Sequence, residues 1–232
     1  YGIEAINNLG NPAALIGHSL GEYTALCLSG YLDFKDALKV IAVRGEEMHK
    51  AVENSNTTMA AVLTGDLETT IEEIEKLNNQ GIQIWISNFN DPSQIVISSY
   101  IDDMNYLKSN PKALSAKRVI PLEVAGAFHT EIVSSAKKPL EDTLNSIDIS
   151  EGKIPVYMNV DAKKVEVSTL KENLVNQIDN SVLFNQQIEV VSNEIDPDLW
   201  CHIGPGNVTA GMVRKSISYR DLKVINSLES SK

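Results

Sequence analysis

A short apolar stretch, Ala13-Ala14-Leu15-Ile16, runs straight into Gly17-His18-Ser19-Leu20-Gly21, and a helix-compatible run follows over 22–28. That order leaves the backbone little choice: a strand, a sharp turn and a helix must follow one another within a few residues. The pattern Gly-x-Ser-x-Gly in this setting is a nucleophile-elbow signature. A serine on such a turn points its hydroxyl away from the backbone, and the flanking glycines, Gly17 and Gly21, keep neighbouring side chains clear. The helix that opens after Ser19 aims its free amides and the positive end of its dipole at the place where an oxyanion would form.

The rest of the chain follows an α/β rhythm broken by one inserted unit. A second helix is expected over 34–54, with apolar positions at Ala37, Leu38, Val40, Ile41, Val43 and Met48. From residue 59 onward the order becomes strand 59–63, helix 67–79, strands 82–86 and 94–98 joined by a turn at 88–92, helix 100–109 and strand 117–122. This βαββαβ order is ferredoxin-like. A long amphipathic helix over 130–146 then restores the first rhythm, followed by strand 154–159, helices 168–177 and 184–194, strand 199–203 and helix 208–217. The expected fold class is therefore α/β: an α/β-hydrolase-like large subdomain with a parallel sheet, residues 1–55 and 124–232, plus an inserted ferredoxin-like small subdomain, residues 56–123. A length of 232 residues suits that arrangement. The tail, 227–232, reads as disordered.

Composition matters mainly for what it excludes. A net charge of −11 argues against nucleic acid and against an anionic membrane surface as partners. No apolar run reaches the ~18 residues of a spanning helix, and the first residues carry no signal-peptide pattern. Cys27 and Cys201 lie far apart and read as buried small apolar residues. No metal-ligand spacing occurs. A cytoplasmic setting with no permanently bound cofactor is the expectation.

A serine hydroxyl is a weak nucleophile without a base. Four histidines are available: His18, His49, His129 and His202. His18 adjoins the serine on a turn that sends neighbouring side chains elsewhere, His49 falls on the second helix, and His202 precedes a Gly-Pro-Gly turn. His129 follows a glycine-containing apolar loop and opens a helix, where a side chain can face a cleft. It is the favoured base, with the other three as alternatives.

The run Gly17-His18-Ser19-Leu20-Gly21-Glu22-Tyr23 closely resembles the malonyl-CoA:acyl carrier protein transacylases and the acyltransferase domains of polyketide synthases. Further landmarks occur in the same order: Val43-Arg44-Gly45-Glu46-Glu47-Met48, the run from Asn88-Phe89-Asn90 to Ser98, Gly126-Ala127-Phe128-His129, Asn159-Val160-Asp161, Val175-Asn176-Gln177 and Gly204-Pro205-Gly206. The resemblance implies transfer of a malonyl group from malonyl-CoA, through an ester on Ser19, to the phosphopantetheine thiol of an acyl carrier protein. Other polyketide synthase modules are implied as partners. His129 would be the general base, and Gln177, by its side chain or its carbonyl, would orient it in place of an acidic residue. The Leu20 amide would donate to the oxyanion. Arg44 would clamp the malonyl carboxylate with two hydrogen bonds, a geometry that lysine cannot reproduce. His18, Met48, Phe128, Asn88 and Asn90 would complete the substrate pocket. The bulk of Phe128 beside the histidine favours malonyl over methylmalonyl and leans toward a polyketide-type enzyme. A carrier protein would dock on local lysines, with Lys137-Lys138 and Lys117-Arg118 as candidates.

Members of that family also carry a preceding strand that ends in a Gly-Gln-Gly turn and supplies a second oxyanion donor. Nothing in the 232 residues matches it, and the expectation is that this segment is missing. The rival readings are an acyl hydrolase of the same fold, against which Arg44 argues, and an inactive structural fragment of a synthase.

Overall fold

A computed structural model describes residues 1–217 and 221–226. The tail expected to be disordered, 227–232, lies outside the described residues. Helix α1 (Gly2–Leu9) stops at Gly10, and Pro12 turns the chain into β1 (Leu15–Ile16). After the serine turn come α2 (Leu20–Ser29), closed by left-handed Gly30, and α3 (Phe34–Val52), opened by Asp33, whose carboxylate accepts the Lys35 amide. The apolar positions of α3 recur at helical spacing. Ala37, Val40, Met48 and Val52 are buried against Tyr23 and Leu26 of α2.

The inserted unit folds as its pattern demands. Strand β2 (Thr57–Thr64), α4 (Leu67–Asn79), β3 (Ile84–Asp91), β4 (Gln94–Tyr100), α5 (Ile101–Ser109) and β5 (Ala116–Pro121) form one antiparallel sheet in the order β3-β4-β2-β5. Alternate residues of β2 and β4 face α4 and α5 over an apolar core of Val62, Ile95, Ile97 and Leu107. The expected turn over 88–92 is corrected here. Those residues continue β3 to Asp91, and only Pro92 and Ser93 turn. The strand survives its asparagines because register shifts after Ile86 and Phe89 absorb them. Asp91 then caps the turn by accepting from the amide and hydroxyl of Ser93.

The chain returns through a 3₁₀ segment (Glu131–Ala136) into α6 (Lys137–Asn145), so the single helix expected over 130–146 is two pieces. Strand β6 (Val156–Tyr157), α7 (Val167–Asn176), α8 (Phe184–Ile195), β7 (Leu199–Ile203), α9 (Val208–Ser216) and β8 (Asp221–Ile225) complete the order. Among the described residues the parallel strands form two separate pairs, β1 with β6 and β7 with β8, instead of one continuous sheet. The first pair is only two residues long, because Gly17 leaves β1 for the serine turn and Asn159 leaves β6 to meet it. Cys201 is exposed and Cys27 half-buried, which corrects the expectation that both are buried. β7 presents Cys201 on the face opposite the buried Trp200.

The two subdomains are stitched at β3. The Phe89 amide donates to the Val182 carbonyl and the Val182 amide to the Ser87 carbonyl, each at 2.9 Å. This seam sits just upstream of α8 and places the asparagines of β3 beside the serine turn.

Candidate active site

Gly17 is required by contact. A Cβ built on it would stand 2.1 Å from the Gly21 carbonyl carbon, where β1 grazes the first turn of α2. Gly21 differs: a Cβ there meets nothing within 4 Å, so the expectation that both glycines clear space holds only for Gly17. Ser19 adopts φ 51° and ψ −108°. That conformation costs on the order of 1–3 kcal/mol and persists only where the surroundings over-determine it. Asn159 does this. Its Oδ1 accepts the Ser19 amide at 2.8 Å and its Nδ2 donates to the Gly17 carbonyl at 2.6 Å.

His129 is delivered by a tight loop. The Ala127 amide donates to Thr57 Oγ1, the Phe128 amide donates to the Gly126 carbonyl, and His129 itself has φ 59°. Its Nδ1 lies 2.8 Å from the Gln177 carbonyl oxygen. A carbonyl only accepts, so Nδ1 carries the proton and Nε2 holds the lone pair. Nε2 in turn lies 2.8 Å from Ser19 Oγ and accepts its hydroxyl proton. Burial, reinforced by the Arg44 charge, lowers the imidazole pKa to about 3, so His129 is neutral at ordinary pH.

Arg44 reaches the same oxygen from α3. Its Nη2 donates to Ser19 Oγ at 3.0 Å, while Nε and Nη2 donate to Gln177 Oε1 at 3.2 and 2.9 Å. Gln177 therefore has two separate jobs. Its main-chain carbonyl orients His129, and its side-chain oxygen holds Arg44. The amide of Leu20, at the first helical position after Ser19, has no acceptor within its own helix.

A cavity of about 280 Å³ opens onto this cluster. Ser19, Arg44, His129 and His18 line it, with Met48, Phe128, Met59 and Asn88. Asn90 does not line it. It stands behind His18, accepting at Oδ1 from His18 Nε2 at 2.9 Å and donating from Nδ2 to Gln94. Desolvation lowers the pKa of His18 as well. Of the other histidines, His49 is exposed on α3, and His202 on β7 pairs through Nδ1 with Thr209 Oγ1 at 2.6 Å.

Two site residues escaped notice in the sequence. Asn159 stood out only as a landmark. Glu22, one turn after Ser19, is wholly buried; its oxygens accept from the Asn159 amide and Gln177 Nε2. Burial is the main cause that raises its carboxyl to about 8. The available signal was an acidic residue on α2 beside buried Tyr23 and Leu26. Of the docking candidates, Lys137 is committed to Asp179 and Asn176, and Lys138 to Asp142; Lys117 and Arg118 stand exposed on β5.

The acyl transferase domain family matches this sequence over residues 4–228. The chain belongs to that family. Among relatives, the malonyl CoA-acyl carrier protein transacylase of Bacillus subtilis (strain 168) is 38% identical over 205 residues, which are 88% of this chain and 64% of that protein. The chain thus spans less than two thirds of that relative's length. A crystal structure from Streptococcus pneumoniae of the same enzyme class superposes with a TM-score of 0.89 at 32% identity, covering 99% of this chain and 75% of that one. A malonyl-transacylase in complex with its type II polyketide synthase acyl carrier protein gives 0.88 at 29% identity, covering 95% and 71%. Membership of the acyl transferase family accounts for the two-subdomain fold, with the serine turn on one subdomain and the four-stranded sheet of the other closing the cavity.

Proposed function

We propose that this acyl transferase moves a malonyl group from malonyl-CoA to the phosphopantetheine thiol of an acyl carrier protein, in fatty acid or polyketide synthesis. One observation carries the reading: Ser19 Oγ lies within hydrogen-bond distance of both a neutral histidine and an arginine. The histidine can take the hydroxyl proton, and the arginine is placed to meet a carboxylate attached to the acyl group.

In the first half-reaction Ser19 Oγ attacks the thioester carbonyl while its proton passes to His129 Nε2. The Gln177 carbonyl, hydrogen-bonded to Nδ1, stabilises the imidazolium that forms. Negative charge collects on the carbonyl oxygen, which faces the Leu20 amide and the N-terminus of α2. Collapse breaks the carbon–sulfur bond, and the proton on Nε2 goes to the leaving sulfur. The second half-reaction reverses these steps with the carrier thiol as nucleophile. Arg44 gives up its bond to Ser19 Oγ to hold the malonyl carboxylate, which keeps the acyl group in one orientation. Phe128 crowds the α-carbon beside His129. One added methyl is worth only ~1–3 kcal/mol of discrimination, so methylmalonyl is disfavoured by degree. The chemistry uses side chains and backbone alone, with no permanently bound cofactor, and a cytoplasmic setting suits substrates of this kind.

Mixing the protein with malonyl-CoA tests the reading by intact mass. A stable gain of about 86 Da that maps to Ser19 is the expected result, as one malonyl ester replaces a hydroxyl proton. Rapid release of free malonate would make the protein a hydrolase, and absence of any adduct would make it inert.

A further inference from the structure

The buried carboxylate of Glu22 takes no direct part in those steps, yet it is joined to them. Both Glu22 oxygens accept here, one from the Asn159 amide and one from Gln177 Nε2, and a guanidinium has donors only. Gln177 lies between the two groups. Its Nε2 faces Glu22 Oε2 and also donates to the Ser19 carbonyl, while its Oε1 faces Nε and Nη2 of Arg44. A glutamine amide can be turned over at little intrinsic cost, so its own geometry does not choose this orientation. Arg44 attracts the oxygen end; Glu22 attracts the nitrogen end, together with the Ser19 carbonyl and, at 3.3 Å, Asn159 Oδ1. The other Glu22 oxygen is tied to the Asn159 amide, a backbone donor that cannot turn.

We propose that Glu22 is a positioning residue for acyl-group selection: it locks the Gln177 amide in the one orientation that holds Arg44 beside Ser19. The inference rests on the malonyl-transfer reading above. It assigns to Glu22 an effect that passes through Arg44, distinct from a general contribution to the fold.

Glu22→Gln isolates the effect. The substituted side chain keeps one acceptor, which the Asn159 amide takes because it can only donate. Its new amino group then confronts Gln177 Nε2, donor against donor. The Gln177 amide then either shifts away from residue 22 or turns over at the expense of its bond to the Ser19 carbonyl, and both outcomes displace the oxygen that holds Arg44. The readout is the ratio of kcat/KM for malonyl-CoA to kcat/KM for acetyl-CoA, measured at about pH 9, above the value of about 8 to which burial raises Glu22, in wild type, Glu22→Gln, Arg44→Ala and the double variant. The ratio is expected to fall by about tenfold in Glu22→Gln, chiefly through KM for malonyl-CoA. In the Arg44→Ala background the second substitution is expected to leave the ratio where Arg44→Ala alone put it. Equal losses for both substrates, or effects that multiply in the double variant, would overturn the proposal. If Glu22→Gln does not fold, Glu22→Asp provides the same test. It keeps an acceptor-only group but withdraws it by one methylene, so a smaller drop in the same ratio is expected and an unchanged ratio refutes the idea. A wild-type protein without malonyl preference would instead refute the functional reading on which this one rests.

Discussion

Under the four-stranded sheet, Ile95, Ile97, Leu107 and Leu114 are fully buried in an apolar cluster with Ala60 and Val62. Under the serine turn, Glu22, Asn159 and Gln177 are just as fully buried, and their partners are donors and acceptors from distant parts of the chain. The first region is held by area and volume, which many side-chain combinations supply. The second is held by direction, because each polar atom needs a specific counterpart and a vacancy costs the desolvation of the group left behind. The small subdomain can be a generic wall for the cavity, while the elbow permits one arrangement of six polar side chains, Ser19, Glu22, Arg44, His129, Asn159 and Gln177.

Four experiments probe that contrast. Ser19→Ala should lower malonyl transfer by about 10⁴-fold or more and abolish the mass adduct, since the residues around a nucleophile act as a unit. The melting temperature should move little, because alanine at φ 51° bears the same strain and Asn159 still binds its amide. If activity survives at a tenth of wild type, the elbow is not the reactive centre. In the other region, Leu107→Ala should cost about 2–5 kcal/mol by denaturant titration, through a cavity in a core that cannot fully collapse. Its kcat per folded molecule should match wild type; a parallel fall in kcat would show that the sheet core and the elbow are coupled.

Third in size is pH dependence, on which the two buried titratable groups of the elbow act with opposite sign. His129 is lowered from 6.5 to about 3, so the unfolded chain binds its proton first. The corresponding stability is complete above pH 6.5 and drains away as pH falls toward 3. Glu22 is raised from 4.5 to about 8, so its contribution is complete below pH 4.5 and is lost as pH rises through 8. Melting curves across pH should therefore flatten on the acid side in His129→Ala and on the alkaline side in Glu22→Gln. Unchanged slopes would mean that neither group is desolvated as the fold requires. Asn90→Ala should have the smallest effect, a loss of a few-fold in kcat/KM, because Asn90 only supports His18 from behind the cavity. A loss as large as that of Ser19→Ala would place Asn90 in the reacting cluster.

Legibility in the sequence followed the same division. Periodicity reveals α3 and the succession of strands and helices in the inserted unit, since each depends on neighbours three, four or two residues away. Residues 88–92 read as a turn because asparagine favours turns locally; pairing with β4 and the bond from Phe89 to Val182 outweigh that preference as far as Asp91. The exposure of Cys201 was missed because residue type says nothing about which side of β7 it faces. Ser19, Arg44 and His129 were found through motifs, whereas Glu22 hid inside one of those motifs as a helix-compatible residue.

By itself the sequence determined that a serine would stand on a sharp turn between strand and helix, because Gly17 and the flanking apolar patterns act over a few residues. It also determined the βαββαβ insert and the candidate base and clamp. Only the tertiary structure decided which atoms meet. It brought His129 to a serine 110 residues away and Gln177 to a glutamate 155 residues away. It also chose the carbonyl of Gln177 for the histidine and its side-chain oxygen for the arginine. Hydrogen bonds are directional and the partners are distant in the chain, so no local pattern encodes that choice; it exists only once the helices and the two subdomains have packed.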